Sequence, residues 1–275
     1  DKGALSSGLA RDSDQRVTAA IQHVLAASRE FGHCYLSETQ IRAQVNELLQ
    51  MDIGGRLPGL LARMRQDGHL MVRELANPAG DPEPCYYSKT LYYDELYVAK
   101  RVATAQGPPD VDRHRIGDWI RLYCQARGIS LSADQAAAVQ GIAGERFSIL
   151  TGGPGCGKTT ATRVLVKLLE AMKVRVLLAA PTGRAAQRMT EVIGSESRTI
   201  HRLLEWQVGK FKKNEDNPLA VDFLIVDECS MLDISLTASL LKAVPERSRI
   251  LFIGDADQLP SVGAGNVLGD LIASG

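Results

Sequence analysis

FSILTGGPGCGKTTATRVLVKLL, running from Phe147 to Leu169, is the stretch that decides the fold. The run FSIL predicts a buried strand, and Val164, Leu165, Leu168 and Leu169 recur on one side of a helix. Between strand and helix lies GGPGCGKT, which fits G-x-x-x-x-G-K-[ST] in the strand-to-helix setting that this motif needs. Glycines let backbone N–H groups curl around phosphates, and the helix N-terminus adds partial positive charge. The candidate nucleotide-binding residues are therefore Gly153, Pro154, Gly155, Cys156, Gly157, Lys158, Thr159 and Thr160. Lys158 is placed to reach the outer phosphates and the Thr159 hydroxyl to ligate a magnesium ion, so ATP and Mg2+ are the expected cofactors. Cys156 fills a free position of the motif and reads as a small inert side chain.

Working outward, VRVLLAAPTG, FLIVDE and RILFIGD are further short apolar runs ending in Gly or Asp, and helical stretches separate them. That alternation predicts a parallel α/β sheet with helices on both faces, the phosphate-loop NTPase (RecA-like) class. Ligands of such sheets bind outside the carboxyl ends of the strands, where the unusual residues fall. FLIVDECS delivers Asp227 to the metal and Glu228 to a water, as the group that takes or orients its proton.

Composition excludes several classes. The 275 residues suffice for one large or two ordinary domains, and 45% apolar with 23% charged residues is a globular balance. Because 32 basic residues cancel 32 acidic ones, net charge argues for no partner, although a local field can still hold nucleic acid. Five scattered cysteines without a C-x-x-C pair fit neither a disulfide framework nor a zinc site, which points to a reducing, cytoplasmic setting. No apolar run reaches a membrane span, so no membrane partner is expected, and DKGALSSGLARDSD reads as a cut or frayed end.

The N-terminal third predicts helices over Asp14–Arg29, from Ser37 and over Leu57–Gln66, the second opened by the capping box SETQ. HLMVREL and CYYSKTLYY then read as two strands around NPAGDPEP. Three helices and a hairpin suggest a small winged-helix-like region, whose Arg56, Arg63 and Arg65 either enter a DNA groove or solvate an exposed face. A helix from Asp94 to Ala105 leads to the linker QGPPDVD, dividing the chain into residues 14–106 and 107–275.

The ordered series GGPGCGKTT, APTGRAA, SRTIHRLL, DECSM and GDADQLPSVGAG resembles the motifs of superfamily 1 helicases, in the wording of their RecD-like branch. The resemblance is strong over residues 130–275 and weaker before them, where GHCYLS, RMRQDGHL and LYVAKRV look like the longer, stand-alone type. It implies that Gln135 in LSADQAAAV reads the adenine edge, and that Gln258 senses the γ-phosphate and attacking water, with Asp255 supporting either the metal shell or the loop geometry. It also implies a single-stranded DNA track along Pro181, Thr182, Gly183 and Arg184 and along Thr199, His201 and Arg202. The stretch 205–220 reads as a β-hairpin with alternating Trp206, Val208 and Phe211, either a duplex-splitting pin using Trp206 or an element packed on the motor. The implied activity is ATP-driven 5′-to-3′ translocation and unwinding at a DNA fork by a monomer, in DNA repair and recombination. An RNA helicase and a non-motor ATP switch are the alternatives. The second motor domain of such enzymes, with its transition-state arginine, has no counterpart among these residues, so weak turnover is expected of this stretch alone.

Overall fold

The computed structural model describes residues 13–105, 111–259 and 261–275. The expected N-terminal tail and the domain boundary at 106–107 lie outside the described residues, as does most of the linker. Two compact units are present, one of residues up to Leu96 together with Val262–Gly265, the other of Tyr97–Ser261 with Asn266–Gly275.

The first unit opens with α1 (Asp14–Ala27), whose start is fixed by the Ser13 hydroxyl accepting the Arg16 N–H at 3.3 Å. β1 (Tyr35–Ser37) leads into α2 (Glu38–Leu49) through the expected capping box, with Gln40 N to Ser37 Oγ at 3.3 Å and Ser37 N to Gln40 Oε1 at 2.9 Å. Such a cap stabilises by about 1 kcal/mol. α3 (Leu57–Gln66), β2 (Met71–Ala76) and β3 (Pro82–Tyr87) complete the unit, and the strands pair antiparallel in the order β1-β3-β2. Val17, Ile21, Leu36, Ile41, Val45 and Leu61 fill its core. Arg56 and Arg63 lean toward the Asp14 carboxylate, the latter at 4.0 Å, which favours the solvating role for these two arginines.

One expectation fails here. CYYSKTLYY is not a single strand: pairing stops at Tyr87, and α4 (Lys89–Thr104) begins five residues before the expected Asp94. Ser88 is the reason, because its hydroxyl accepts the Leu91 N–H at 3.4 Å and its carbonyl accepts the Tyr92 N–H at 3.1 Å.

In the second unit, α5 (Arg113–Arg127) and α6 (Ala133–Ala143) precede β4 (Phe147–Thr151), α7 (Lys158–Ala171), β5 (Val176–Ala180), α8 (Gly183–Ile193), β6 (Ser197–Thr199) and the single turn α9 (Ile200–Leu203). The hairpin strands β7 (Trp206–Gln207) and β8 (Lys210–Phe211) follow, then β9 (Phe223–Val226), α10 (Ile234–Ala243), β10 (Arg249–Gly254) and α11 (Val267–Ser274). Five strands form the expected parallel sheet, in the order β4-β10-β9-β5-β6. Phe223, Ile225, Leu251 and Ile253 pack into a core with α5, α6, α7 and α8. Their alternates Leu224, Val226, Ile250 and Phe252 are at most 2% exposed, so these two strands are covered on both faces.

At the amino end of the sheet Arg175 clamps Asp222, with Nε to Oδ2 at 2.8 Å and Nη2 to Oδ1 at 2.7 Å. The Asp222 and Phe223 N–H groups both donate to the Arg175 carbonyl, which ties the start of β5 to the start of β9.

Candidate nucleotide site and neighbouring loops

Every motif loop leaves the carboxyl end of a strand. After β4 the chain turns sharply at Gly152, Gly155 and Gly157, all with positive φ. Lys158, the first residue of α7, folds its amino group back onto the carbonyls of Gly152 and Gly153, the second at 3.0 Å. Thr159 is exposed beside it.

Gln135 spends its amide on the protein. Its Oε1 accepts the Ser132 N–H at 3.0 Å, closing a capping box at the start of α6, and its Nε2 donates to the Cys156 carbonyl at 3.0 Å. A Cβ on Gly157 would collide with that same Nε2. Gln135 therefore buttresses the phosphate loop, and one N–H and one lone pair of its amide remain.

After β9 come Asp227 and Glu228. Burial pushes the Asp227 carboxyl above the usual range, opposed by the Glu228 N–H at 2.8 Å from Oδ1 and by the charges of Arg188 and Lys158. Glu228 itself sits at φ +55, a left-handed conformation that side-chain-bearing residues seldom adopt without local compensation. A short 3-10 turn, Cys229–Met231, follows and buries Ser230, whose hydroxyl donates to Gln258 Oε1 at 3.2 Å. The Gln258 loop is braced by Asp255, which is 8% exposed and accepts Asp257 N at Oδ1 and Gln258 N at its carbonyl. Gly254 is tightly enclosed: a Cβ there would displace the end of the Leu268 side chain and come close to the backbone N of Ser230 and Cys229.

Gly153 to Thr159 thus line one cavity of about 330 Å³ together with Asp227, Glu228, Asp255 and Gln258. Thr160 and Gln135 are not part of its wall. Arg188 and Thr162 are, although no motif pointed to them, and so is Gly254, the first residue of GDADQLPSVGAG. The residues fit a nucleotide with Mg2+: the glycine cradle is open, a hydroxyl and a carboxylate are the hard oxygen donors that Mg2+ takes, and the desolvated Asp227 carboxyl favours a cation beside it.

The second group of candidates gathers on neighbouring strands. β5 and β6 pair in register Ala180 to Thr199, so Pro181–Arg184 and the turn after Thr199 leave the same edge side by side. Thr182 caps α8 by accepting Ala185 N at 3.2 Å, and Thr199 caps α9 by accepting Arg202 N at 3.2 Å. Each hydroxyl keeps its proton to donate. Gly183, Arg184, His201 and Arg202 are exposed. His201 packs against Trp206 and Phe211, ring centroids 6.0 and 5.6 Å away, while Trp206 stays 49% exposed. The expected alternation through Val208 does not hold: Val208 and Gly209 form the turn, both at positive φ, with Val208 fully solvated.

A family model described as "AAA domain" matches residues 135–264. The ATP-dependent RecD2 DNA helicase of Deinococcus radiodurans is 35% identical over 271 residues, 96% of this chain. These matches support a RecD-like superfamily 1 helicase. RecBCD enzyme subunit RecD of Mycolicibacterium smegmatis is 37% identical over 50% of the chain, and that of Haemophilus influenzae 40% identical over 46%. These alignments span 37%, 30% and 24% of the three relatives' own lengths. The RecD2 alignment takes in the N-terminal unit of this RecD-like chain as well as its sheet. Among the described residues no helix is long and apolar enough to cross a membrane.

Proposed function

We propose that this chain carries the nucleotide-binding motor core of an ATP-dependent DNA helicase that translocates 5′-to-3′ on single-stranded DNA. The observation that carries the reading is the convergence of Lys158, Asp227, Glu228 and Gln258 on one cavity, beside two exposed loops on adjacent strands. Gly153–Thr160 wrap the phosphates with backbone N–H groups, and Lys158 exchanges its two loop carbonyls for the outer phosphate oxygens. Thr159 and Asp227 hold Mg2+, which when bound neutralises phosphate charge. Glu228 takes the proton of the attacking water, and Gln258 donates an amide N–H toward the same place.

The track is Pro181–Arg184 with Thr199, His201 and Arg202. N–H groups at the start of α8, two hydroxyl protons and two guanidinium groups suit backbone phosphates, and Trp206 offers a face for an unstacked base. RecD names in the relatives support DNA as the track and a place in recombination or repair.

ATP hydrolysis by the complete protein, with and without single-stranded DNA, tests this. Stimulation by DNA that Lys158→Ala abolishes is the expected result, and turnover indifferent to both would overturn it. Unwinding of duplexes bearing a 5′ or a 3′ tail then decides polarity.

A further inference from the structure

Arg188 lies in the second turn of α8, just beyond APTGRAA, and its side chain lines the same cavity as Lys158, Asp227, Glu228 and Gln258. Among the described residues it has no hydrogen bond and no ion pair. Other exposed arginines are engaged, as Arg198 is with Glu196 and Arg121 with Asp118. Arg188 and Lys158 both face a cavity that holds Asp227 and Glu228, yet among the described residues neither forms an ion pair with them, so both cations are available to an anion placed between them. Arg188 further borders a second, shallow recess of about 450 Å³ lined by Arg184, Gln187 and Glu191. One side chain thus stands between the nucleotide cavity and the face of α8 that leads back, one turn, to Arg184 and the Thr182 cap.

We propose that Arg188 is a direct contact for the terminal phosphate of the nucleoside triphosphate, supplied from α8. The assignment rests on the nucleotide reading of the cavity and deepens it. Lys158 leaves from the phosphate loop after β4, whereas Arg188 comes from the helix after β5, with β10 and β9 and their Gln258 and Asp227 lying between in the sheet order, so a phosphate chain that starts in the loop would meet Arg188 at its far end. A guanidinium suits that end, since it grips two oxygens at once and stays charged. Loss of the terminal phosphate then frees Arg188, and the helix that feels the change is the one whose first turn carries Thr182, Gly183 and Arg184.

The test is equilibrium binding, with no turnover needed. A fluorescent non-hydrolysable ATP analogue and the matching ADP analogue are titrated with Mg2+ into the complete protein, as wild type, Arg188→Ala, Arg188→Lys and Lys158→Ala. Arg188→Ala should weaken the triphosphate about 10-fold or more and the diphosphate less than about twofold, with part of the loss restored in Arg188→Lys. Equal weakening of both nucleotides, or of neither, overturns the assignment. Lys158→Ala separates the two claims: if it leaves both affinities unchanged, the cavity is not the nucleotide site at all. If it weakens both while Arg188→Ala does not discriminate, only Arg188 is misassigned.

Discussion

The Ser230 hydroxyl donates to Gln258 Oε1 at 3.2 Å, joining the turn after Asp227-Glu228 to the loop after β10. With its oxygen held, Gln258 has its NH2 group left to offer, so it acts in the cavity as a donor. Ser230→Ala should lower kcat for ATP hydrolysis about fivefold and leave KM within about twofold, because orientation is lost and binding is not. Steady-state kinetics of Ser230→Ala, Gln258→Ala and the double variant check this: the second substitution should add almost nothing to Gln258→Ala.

Gly157→Ala should be among the most damaging small changes. The residue sits at φ +78, and the added methyl strikes the Gln135 amide that braces the Cys156 carbonyl. A loss of about 1–3 kcal/mol in urea unfolding is expected, together with loss of nucleotide binding. Adding Gln135→Ala should recover part of the stability by removing the collision, and no recovery would show that backbone strain alone is responsible.

Asp227→Asn should stabilise the nucleotide-free protein while abolishing turnover. Burial raises the Asp227 pKa, so ionisation works against folding: the penalty grows as pH rises from the ordinary carboxylate range through the raised folded value, and is complete at neutral pH. Asn keeps Oδ1 for the Glu228 N–H and carries no charge. Thermal melts should show the variant above wild type near neutral pH and the difference closing in acid.

The opposite sign applies at the far end of the sheet. Arg175 holds the Asp222 pKa at about 2, below its ordinary 3.8, so the stabilisation is present above that ordinary value and is lost as pH falls through about 2. Asp222→Asn should flatten this part of the acid unfolding curve. The pair is partly exposed, so added salt should shrink the difference.

Val208→Asn should tighten the hairpin. A β-branched residue at φ +33 is strained, while Asn tolerates that region and with Gly209 makes a favoured two-residue turn. Exchange of the Lys212 amide, which bonds the Glu205 carbonyl at 3.3 Å, should slow about fivefold, corresponding to about 1 kcal/mol.

What could be read beforehand was whatever is written locally. The spacing of glycines, Lys158 and Thr159, the alternation of apolar runs and helices, and the box at Ser37-Gln40 each depend on neighbours a few residues away. Ser88 was equally legible as a cap, but the aromatic run around it has the composition of a strand and outweighed it. Ser132-Ala-Asp-Gln135 has the same capping pattern as Ser37 to Gln40, so the bracing role of Gln135 is legible in the sequence beside its expected adenine contact. Arg188 could not be found that way, nor could the contacts of Ser230 and Gly254, although DECSM and GDADQLP contain those two residues. Their partners lie on other strands, and only the order β4-β10-β9-β5-β6 brings them to one cavity.

That order also sets a problem of timing. β4 lies at the edge of the described sheet and pairs with β10 alone, which follows about 100 residues later. A ribosome adding about 5–20 residues each second delivers the phosphate loop some 5–20 seconds before the strand that anchors it. During that interval FSIL is an unpaired apolar edge, prone to wrong partners. The nascent chain is thus expected to need shielding until Ile250 to Gly254 emerge, and slower synthesis between the two strands should cost yield of folded protein.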